Sequence, residues 1–179
     1  ILQNGFTGTV YPINPKASSI MSVKTYPSIT DVPDDIDLAI ILVPAPVVSR
    51  IAEECGRKGV RSLIVISDGF RERGPDGAAR EAELKDIALG YGMRIIGPNC
   101  MGIINTDPAV SLNATFSPVY PPQGNVGFIS QSGAMGLTIL KNADDLNIGI
   151  STFFSMGNRA DLSAVDFLQY WENDPVTQV

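Results

Sequence analysis

The segment Gly124–Gly136, GNVGFISQSGAMG, decides how this chain folds. It begins with a short apolar run, which predicts a buried parallel strand over residues 126–130. A small polar turn follows, and then apolar residues at helical spacing predict a helix over residues 133–146. We therefore expect a strand, a tight turn and a helix in immediate succession.

The turn at Ser132 and Gly133 is the expected place for chemistry. The first N–H groups of a helix have no partner within it, and the helix dipole adds about half a positive charge, so a phosphate or carboxylate fits there. Ser132 offers a hydroxyl, and Gly133 lets an anion approach the main chain closely. A second interpretation stays open, in which Ser132 is only an N-cap and Gly133 only permits the turn.

Upstream, strands alternate with helices. Apolar runs predict strands at Ile36–Val43, Ser62–Ile66 and Arg94–Ile96, and helical periodicity predicts helices at Val47–Lys58 and Asp76–Tyr91. The first of these strands is apolar on both faces, so we expect it in the centre of the sheet. This alternation is typical of right-handed βαβ units and a parallel sheet.

The same pattern continues downstream. A strand is predicted at Ile150–Ser155 and a helix at Ser163–Glu172, with Asp161 and Ser163 as N-cap candidates. The turn between them contains Gly157 and Asn158, which we expect at the same edge of the sheet as Ser132. Phe167, Tyr170 and Trp171 are interpreted as packing residues or an interface.

Two polar residues are candidates for ligand contacts at the carboxyl ends of strands, where α/β sheets bind ligands. A strand is predicted at Thr7–Asn14, and Lys16 follows it, where an NAD site would have an acidic residue; a phosphorylated ribose fits better. Lys16 also fits a solvated loop. Asn99 follows another strand, and its amide either contacts a ligand or caps the turn.

The segment Ile103–Pro122 is rich in Pro, Asn and Ser, so we expect a long irregular connection and a domain boundary there.

Composition excludes several classes of protein. The 179 residues carry 13 basic and 19 acidic side chains, a formal net charge of −6, with no basic cluster for nucleic acid. No apolar run reaches the roughly 18–20 residues that span a bilayer. Cys55 and Cys100 have no CxxC partner, so we expect reduced thiols and a cytoplasmic protein, with Cys55 in the core. Histidine is absent.

Seven motifs together resemble one family, the nucleoside-diphosphate-forming acyl-CoA synthetases, relatives of the succinyl-CoA synthetase alpha subunit. They are YPINPK (11–16), LVPAPVV (42–48), ISDGFRERG (66–74), GMRIIGPNCMGIIN (92–105), LNATF (112–116), GNVGFISQSGAMG (124–136) and FFSMGNRADLSAVDFLQYWENDP (153–175). The resemblance implies an α/β fold, with a Rossmann-like CoA-binding domain over residues 1–119 and the start of a flavodoxin-like ligase domain over residues 120–179.

The resemblance also implies a reaction and its site. Such enzymes make acyl-CoA from an organic acid, CoA and ATP through an acyl phosphate and a phosphohistidine, and release ADP and phosphate. The residues implied to border CoA are Pro15, Lys16, Val43, Pro44, Ala45, Pro46, Ile66, Ser67, Asp68 and Asn99. The helix N-terminus implied to receive the phosphoryl group comprises Gln131, Ser132, Gly133 and Ala134, and no metal ligand is implied in this chain.

Parts of that machinery are expected outside the chain. The glycine-rich turn that opens the CoA domain would precede Ile1, and the phosphohistidine would follow Val179, so we expect a fragment that is inactive alone. ATP and Mg²⁺ are expected at an ATP-grasp domain or subunit, within a homo- or hetero-oligomer. An alternative is a CoA- or acyl-CoA-sensing module of a protein lysine acetyltransferase, and a nicotinamide-dependent dehydrogenase is disfavoured by Lys16.

Overall fold

The computed structural model describes residues 1–179 and consists of nine strands and four α-helices. The strands are β1 (Ser19–Ile20), β2 (Val23–Lys24), β3 (Leu38–Ile41), β4 (Ser62–Val65), β5 (Arg94–Ile96), β6 (Gly102–Asn105), β7 (Leu112–Thr115), β8 (Gln123–Ser130) and β9 (Ile150–Ser155). The helices are α1 (Ala45–Lys58), α2 (Pro75–Tyr91), α3 (Gly133–Asp145) and α4 (Ala164–Glu172).

The first sheet is parallel, with strand order β3-β4-β5. This confirms the parallel α/β prediction, and α1 and α2 lie within two residues of their predicted bounds. The prediction of a central position for the Ile36–Val43 strand was wrong: β4 is central and β3 is an edge strand. The reason is that the chain before β3 supplies no neighbouring strand.

The predicted strand at Thr7–Asn14 does not form. The segment makes one isolated parallel bridge, Ile13 to Tyr26, with hydrogen bonds on either side of it. Pro12 has no N–H to donate and Pro15 follows two residues after Ile13, so a longer ladder has no continuous row of donors. Residues 19–24 instead contain the short antiparallel pair β1-β2.

The second sheet has strand order β7-β6-β9-β8. β8 and β9 are parallel and joined by α3, as predicted, whereas β6 is antiparallel to both β7 and β9. The prediction of an irregular connection over Ile103–Pro122 was therefore wrong, because most of β6 and all of β7 lie within it. The division of the chain after residue 119 stays a prediction.

Three apolar clusters hold these layers together. The largest lies between the first sheet and its two helices and includes Val48, Leu63 and Leu84. A second joins β6, β9 and α3 around Phe153. The third packs Leu112 of β7 against Ile64 of β4, so the β6-β7 hairpin covers the other face of the first sheet.

Side chains at the N-terminus and on the buried face of α4 hold this helix in place. Ser163 is the N-cap of α4 and forms a capping box with Asp166, as its sequence position predicted. Asp161 is not an N-cap: it accepts a hydrogen bond from the Ile95 N–H at 2.9 Å and pairs with Arg94. Phe167 is buried and stacks on Phe154 with ring centroids 4.2 Å apart, which confirms a packing role.

Candidate functional site

The turn between β8 and α3 borders an open pocket of about 360 Å³. Its walls are formed by Phe128, Ile129, Ser130, Gln131, Ser132, Met135 and Ile139. The apolar side chains come from the end of β8 and the first two turns of α3, and the polar ones come from the turn itself. Of the four residues in the sequence-predicted anion site, Gln131 and Ser132 therefore line this pocket, and Gly133 and Ala134 follow directly after them.

Hydrogen bonding at this turn leaves two donors open. Ser132 is the N-cap of α3; its Oγ accepts from the Met135 N–H at 3.3 Å, and its carbonyl accepts from the Gly136 N–H at 2.9 Å. The N–H groups of Gly133 and Ala134 make no hydrogen bond within the chain. The first turn carries no acidic side chain. Capping and anion binding are thus compatible, because they use different N–H groups.

The carboxyl ends of β3, β4 and β5 are tied together by hydrogen bonds at residues that the sequence singled out. The Ser67 hydroxyl donates to the Val43 carbonyl at 2.6 Å and accepts from the Val43 N–H at 3.1 Å. The Asn99 N–H donates to the Ser67 carbonyl at 2.9 Å. Val43, Ser67 and Asn99 therefore form one continuous rim, which we call the strand rim.

The first turn of α1 lies beside this rim. Pro44 is its N-cap and Pro46 lies within its first turn, so the Ala45 N–H is the open donor there, since the Val47 N–H donates to Pro44. A Cβ at Gly69 would lie 2.8 Å from the Ala45 Cβ, which places the turn after β4 directly against the start of α1.

Other candidates are placed less centrally. Asp68 is exposed and forms an ion pair with Arg73 at 3.0 Å, so its carboxylate is engaged at the surface. Lys16 and Pro15 are exposed on a turn in which the Asn14 side chain accepts from the Lys16 N–H at 2.9 Å. No hydrogen bond or ion pair links Lys16 to the strand rim. Ile66 donates its N–H to Ile41 and packs in the third cluster.

A polar cluster beneath the rim includes residues that sequence reasoning missed. The Asn158 amide nitrogen donates to Glu72 Oε2 at 2.6 Å and to Glu81 Oε2 at 2.8 Å. Glu72 Oε1 accepts from the N–H groups of Gly69 and Phe70 at 2.5 and 3.0 Å. Desolvation opposes ionisation of Glu72, but the Asn158 and main-chain hydrogen bonds outweigh it, and its pKa is lowered.

Glu81 had a readable signal in the sequence. It is 7% exposed and lies on the buried stripe of α2 with Gly77, Leu84 and Ala88. A carboxylate at an apolar position of a helix indicates a buried partner. That partner set is Asn158 together with Arg71, whose Nε lies 3.3 Å from Glu81 Oε1.

Both cysteines are buried and free. Burial raises the pKa of the Cys55 thiol and of the Cys100 thiol to about 12. Cys55 packs in the largest apolar cluster, as predicted.

No three His, Cys, Asp or Glu side chains are grouped to hold a metal ion. None of the helices has the length and apolar composition for crossing a bilayer.

These features define a class of protein: a parallel α/β unit, continued by a second strand–helix unit whose turn leaves two N–H donors open. The comparison with protein families specifies it further. Residues 1–106 match the model of the CoA binding domain, and residues 123–179 match that of the succinyl-CoA ligase like flavodoxin domain. The chain belongs to the CoA-binding domain family, and the resemblance to acyl-CoA synthetases is confirmed.

Two similar proteins are both named as ADP-forming CoA ligases. The acetate–CoA ligase (ADP-forming) of Methanocaldococcus jannaschii is 50% identical over 97% of this chain and 24% of its own length. The 4-hydroxybutyrate–CoA ligase (ADP-forming) of Nitrosopumilus maritimus is 42% identical over 99% of this chain and 26% of its own length. This chain thus spans about a quarter of these relatives.

A solved structure has the same fold. The dinucleotide forming acetyl-coenzyme A synthetase 1 of Ca. Korarchaeum cryptofilum, in complex with phosphate and ADP, superposes with a TM-score of 0.92 at 45% identity. The match covers 98% of this chain and 37% of that one. The Rossmann-like and flavodoxin-like fold prediction is confirmed.

Proposed function

We propose that this chain is the CoA-binding and phosphate-receiving part of an acid–CoA ligase that makes acyl-CoA and releases ADP and phosphate. The observation that carries the proposal is the pair of open N–H groups on Gly133 and Ala134. They lie between Ser132 and Met135, which line a pocket in the part of the chain that matches the succinyl-CoA ligase like flavodoxin domain. The names of the relatives, which are ADP-forming ligases, support the same reaction.

The proposed chemistry has two stages. ATP phosphorylates the acid carboxylate through a phosphohistidine, giving an acyl phosphate and ADP. The CoA thiolate then attacks the acyl carbon, the thioester C–S bond forms, and the C–O bond to phosphate breaks. The Gly133 and Ala134 N–H groups stabilise the charge on the phosphoryl oxygens, an electrostatic role usual in such transfers.

The rest of the proposed site holds CoA. CoA is proposed to bind along the strand rim and the first turn of α1. Its phosphates are proposed to contact Lys16 and Pro15. We further propose that the chain divides into residues 1–119 and 120–179, the first for CoA and the second for phosphate.

The remaining components belong to other parts of the full protein. The chain has no histidine, so the phosphohistidine is supplied from outside it. We propose an ATP-grasp domain or subunit that binds ATP and Mg²⁺, in a homo- or hetero-oligomer. A CoA-sensing module of a lysine acetyltransferase gains no support from the relatives, whose names are those of ligases.

The test is an assay of the full-length protein with ATP, CoA and a panel of organic acids that includes acetate, hydroxy acids and aryl acids. We expect thioester and ADP to form in equal amounts with at least one acid. Formation of AMP, or the absence of thioester with every acid, would contradict the proposal.

A further inference from the structure

Asn158 joins two parts of the molecule that the proposed reaction must coordinate. It lies in the turn after β9 and is 7% exposed. Its N–H donates to the Pro98 carbonyl at 2.8 Å, and a Cβ on the preceding Gly157 would overlap the carbonyl oxygens of Pro98 and Asn99. The turn after β9 therefore packs directly against the turn after β5.

The orientation of the Asn158 amide is fixed by chemistry. Two carboxylate oxygens, from Glu72 and Glu81, contact one end of the amide at 2.6 and 2.8 Å. Ionised carboxylates only accept hydrogen bonds, so that end must be the NH₂ group. The Asn158 Oδ1 consequently points the other way, toward the Asn99 Nδ2 at 3.4 Å.

This orientation sets the chemistry that Asn99 offers to a ligand. Because the Asn99 NH₂ group faces an acceptor, its Oδ1 is directed away from Asn158. Asn99 is exposed, and its Oδ1 makes no hydrogen bond within the chain. The strand rim thus presents an acceptor at Asn99, whereas a residue that binds a phosphate must present a donor.

The position of Asn99 indicates which portion of CoA passes it. Two residues along, Met101 lies beside α3: a Cβ on Gly133 would be 3.5 Å from the Met101 Cβ. Asn99 is therefore the member of the strand rim that adjoins the turn at Ser132 and Gly133, where the phosphate is proposed to bind. The thiol of CoA must reach the acyl phosphate there, so the thiol-bearing pantetheine arm is the portion of CoA expected beside Asn99.

We propose that Asn99 accepts a hydrogen bond from a donor on the pantetheine arm of CoA, an amide N–H or the thiol, and that Asn158 is a positioning residue that orients Asn99 for this contact. This inference rests on the proposed function and adds the chemical nature of one contact. The wild-type assay above tests the function, and the variants below test the inference separately.

The test compares two substitutions of Asn99 in the full-length enzyme. Asn99 has φ +56°, so Gly and Asp are suitable replacements because both tolerate this conformation. N99G removes the acceptor, whereas N99D keeps an acceptor oxygen but loses the NH₂ group that donates to Asn158 Oδ1. We expect N99G to raise the KM for CoA about three- to tenfold and N99D to raise it by a smaller factor.

A third variant tests the role of Asn158. We expect N158A to raise the KM for CoA about two- to fivefold alone and to add nothing in the N99G background, since both act through one contact. Phosphorylation of the enzyme by ATP, which does not use CoA, should stay at the wild-type rate in the Asn99 variants. N125A, which changes an exposed asparagine at the start of β8, is the matched control and should leave the KM for CoA unchanged.

Three results would overturn the inference: an unchanged KM in N99G, a larger rise in N99D than in N99G, or multiplying effects of N158A and N99G. If N158A does not fold, the contrast between N99G and N99D decides alone, because both change an exposed side chain. Absence of thioester in the wild type would instead refute the proposed function.

Discussion

Gly133 is a residue at which the proposed anion site can be blocked by substitution. A Cβ there would lie 3.5 Å from Met101 and 4.0 Å from Phe116, which is ordinary contact. We therefore expect G133A to be tolerated and G133L to obstruct the open N–H groups. In the full-length enzyme, G133L should slow phosphohistidine formation about 100-fold or more, measured with labelled ATP. Equal rates in G133L and the wild type would remove Gly133 from the site.

Ser132 contributes to stability through its capping hydrogen bond. S132A leaves the Met135 N–H without its acceptor, so the free energy of unfolding should fall by about 1 kcal/mol. S132T keeps the hydroxyl and serves as the matched control in denaturant titrations. A loss of the same size in S132T would show that the hydroxyl does not cap α3.

At the scale of elements, α2 offers a paired test of packing. Gly77 lies in its first turn, where a Cβ would overlap the Phe70 carbonyl oxygen, whereas Gly90 in its last turn has open space around it. We expect G77A to lower the free energy of unfolding by about 1–3 kcal/mol, because the backbone must move. G90A should raise it by about 0.5–1 kcal/mol.

Thermal or urea unfolding of both variants measures the difference. If G77A proved as stable as G90A, α2 would not pack against the turn after β4. The hydrogen bonds of Glu72 and Glu81 to that turn would then be contradicted as well.

Elements that bury a regular apolar stripe could be predicted from the sequence. β4, α1 and α3 are examples, since each has its own periodicity and a Gly, Pro or Ser at an end. β7 could not be predicted, because Asn113 and Ser111 resemble a loop. Asn113 is 6% exposed and pairs with Ile104 across the β6-β7 hairpin. The long-range packing of Leu112 and Ala114 with Ile64 of β4 decides that this segment is a strand.

The candidate site shows the same division. The open N–H groups after Ser132 were predictable, because a strand followed at once by a helix leaves them without partners from local geometry alone. Their role in binding an anion stays a prediction. The Asn158 cluster was not, since Glu72 and Glu81 are 86 and 77 positions away from it in sequence and only the packed fold brings them together.

At the scale of the whole molecule, burial should make both thiols inert. Cys55 and Cys100 are 1% and 5% exposed, and each has a pKa raised to about 12. At pH 8 the folded protein should therefore react with a thiol reagent about 100-fold or more slowly than the unfolded protein, because only the thiolate is nucleophilic. Rapid modification of either thiol in the folded protein would contradict the packing of its apolar cluster.

The central claim is that one edge of the molecule holds CoA at the strand rim and phosphate at the start of α3. A crystal structure of the full-length protein with CoA and phosphate tests it most directly. The account predicts the pantetheine arm beside Ser67 and Asn99, and a phosphate oxygen within hydrogen-bond distance of the Gly133 and Ala134 N–H groups. CoA on another surface, with the strand rim and the turn at Ser132 both free of ligand, would contradict it.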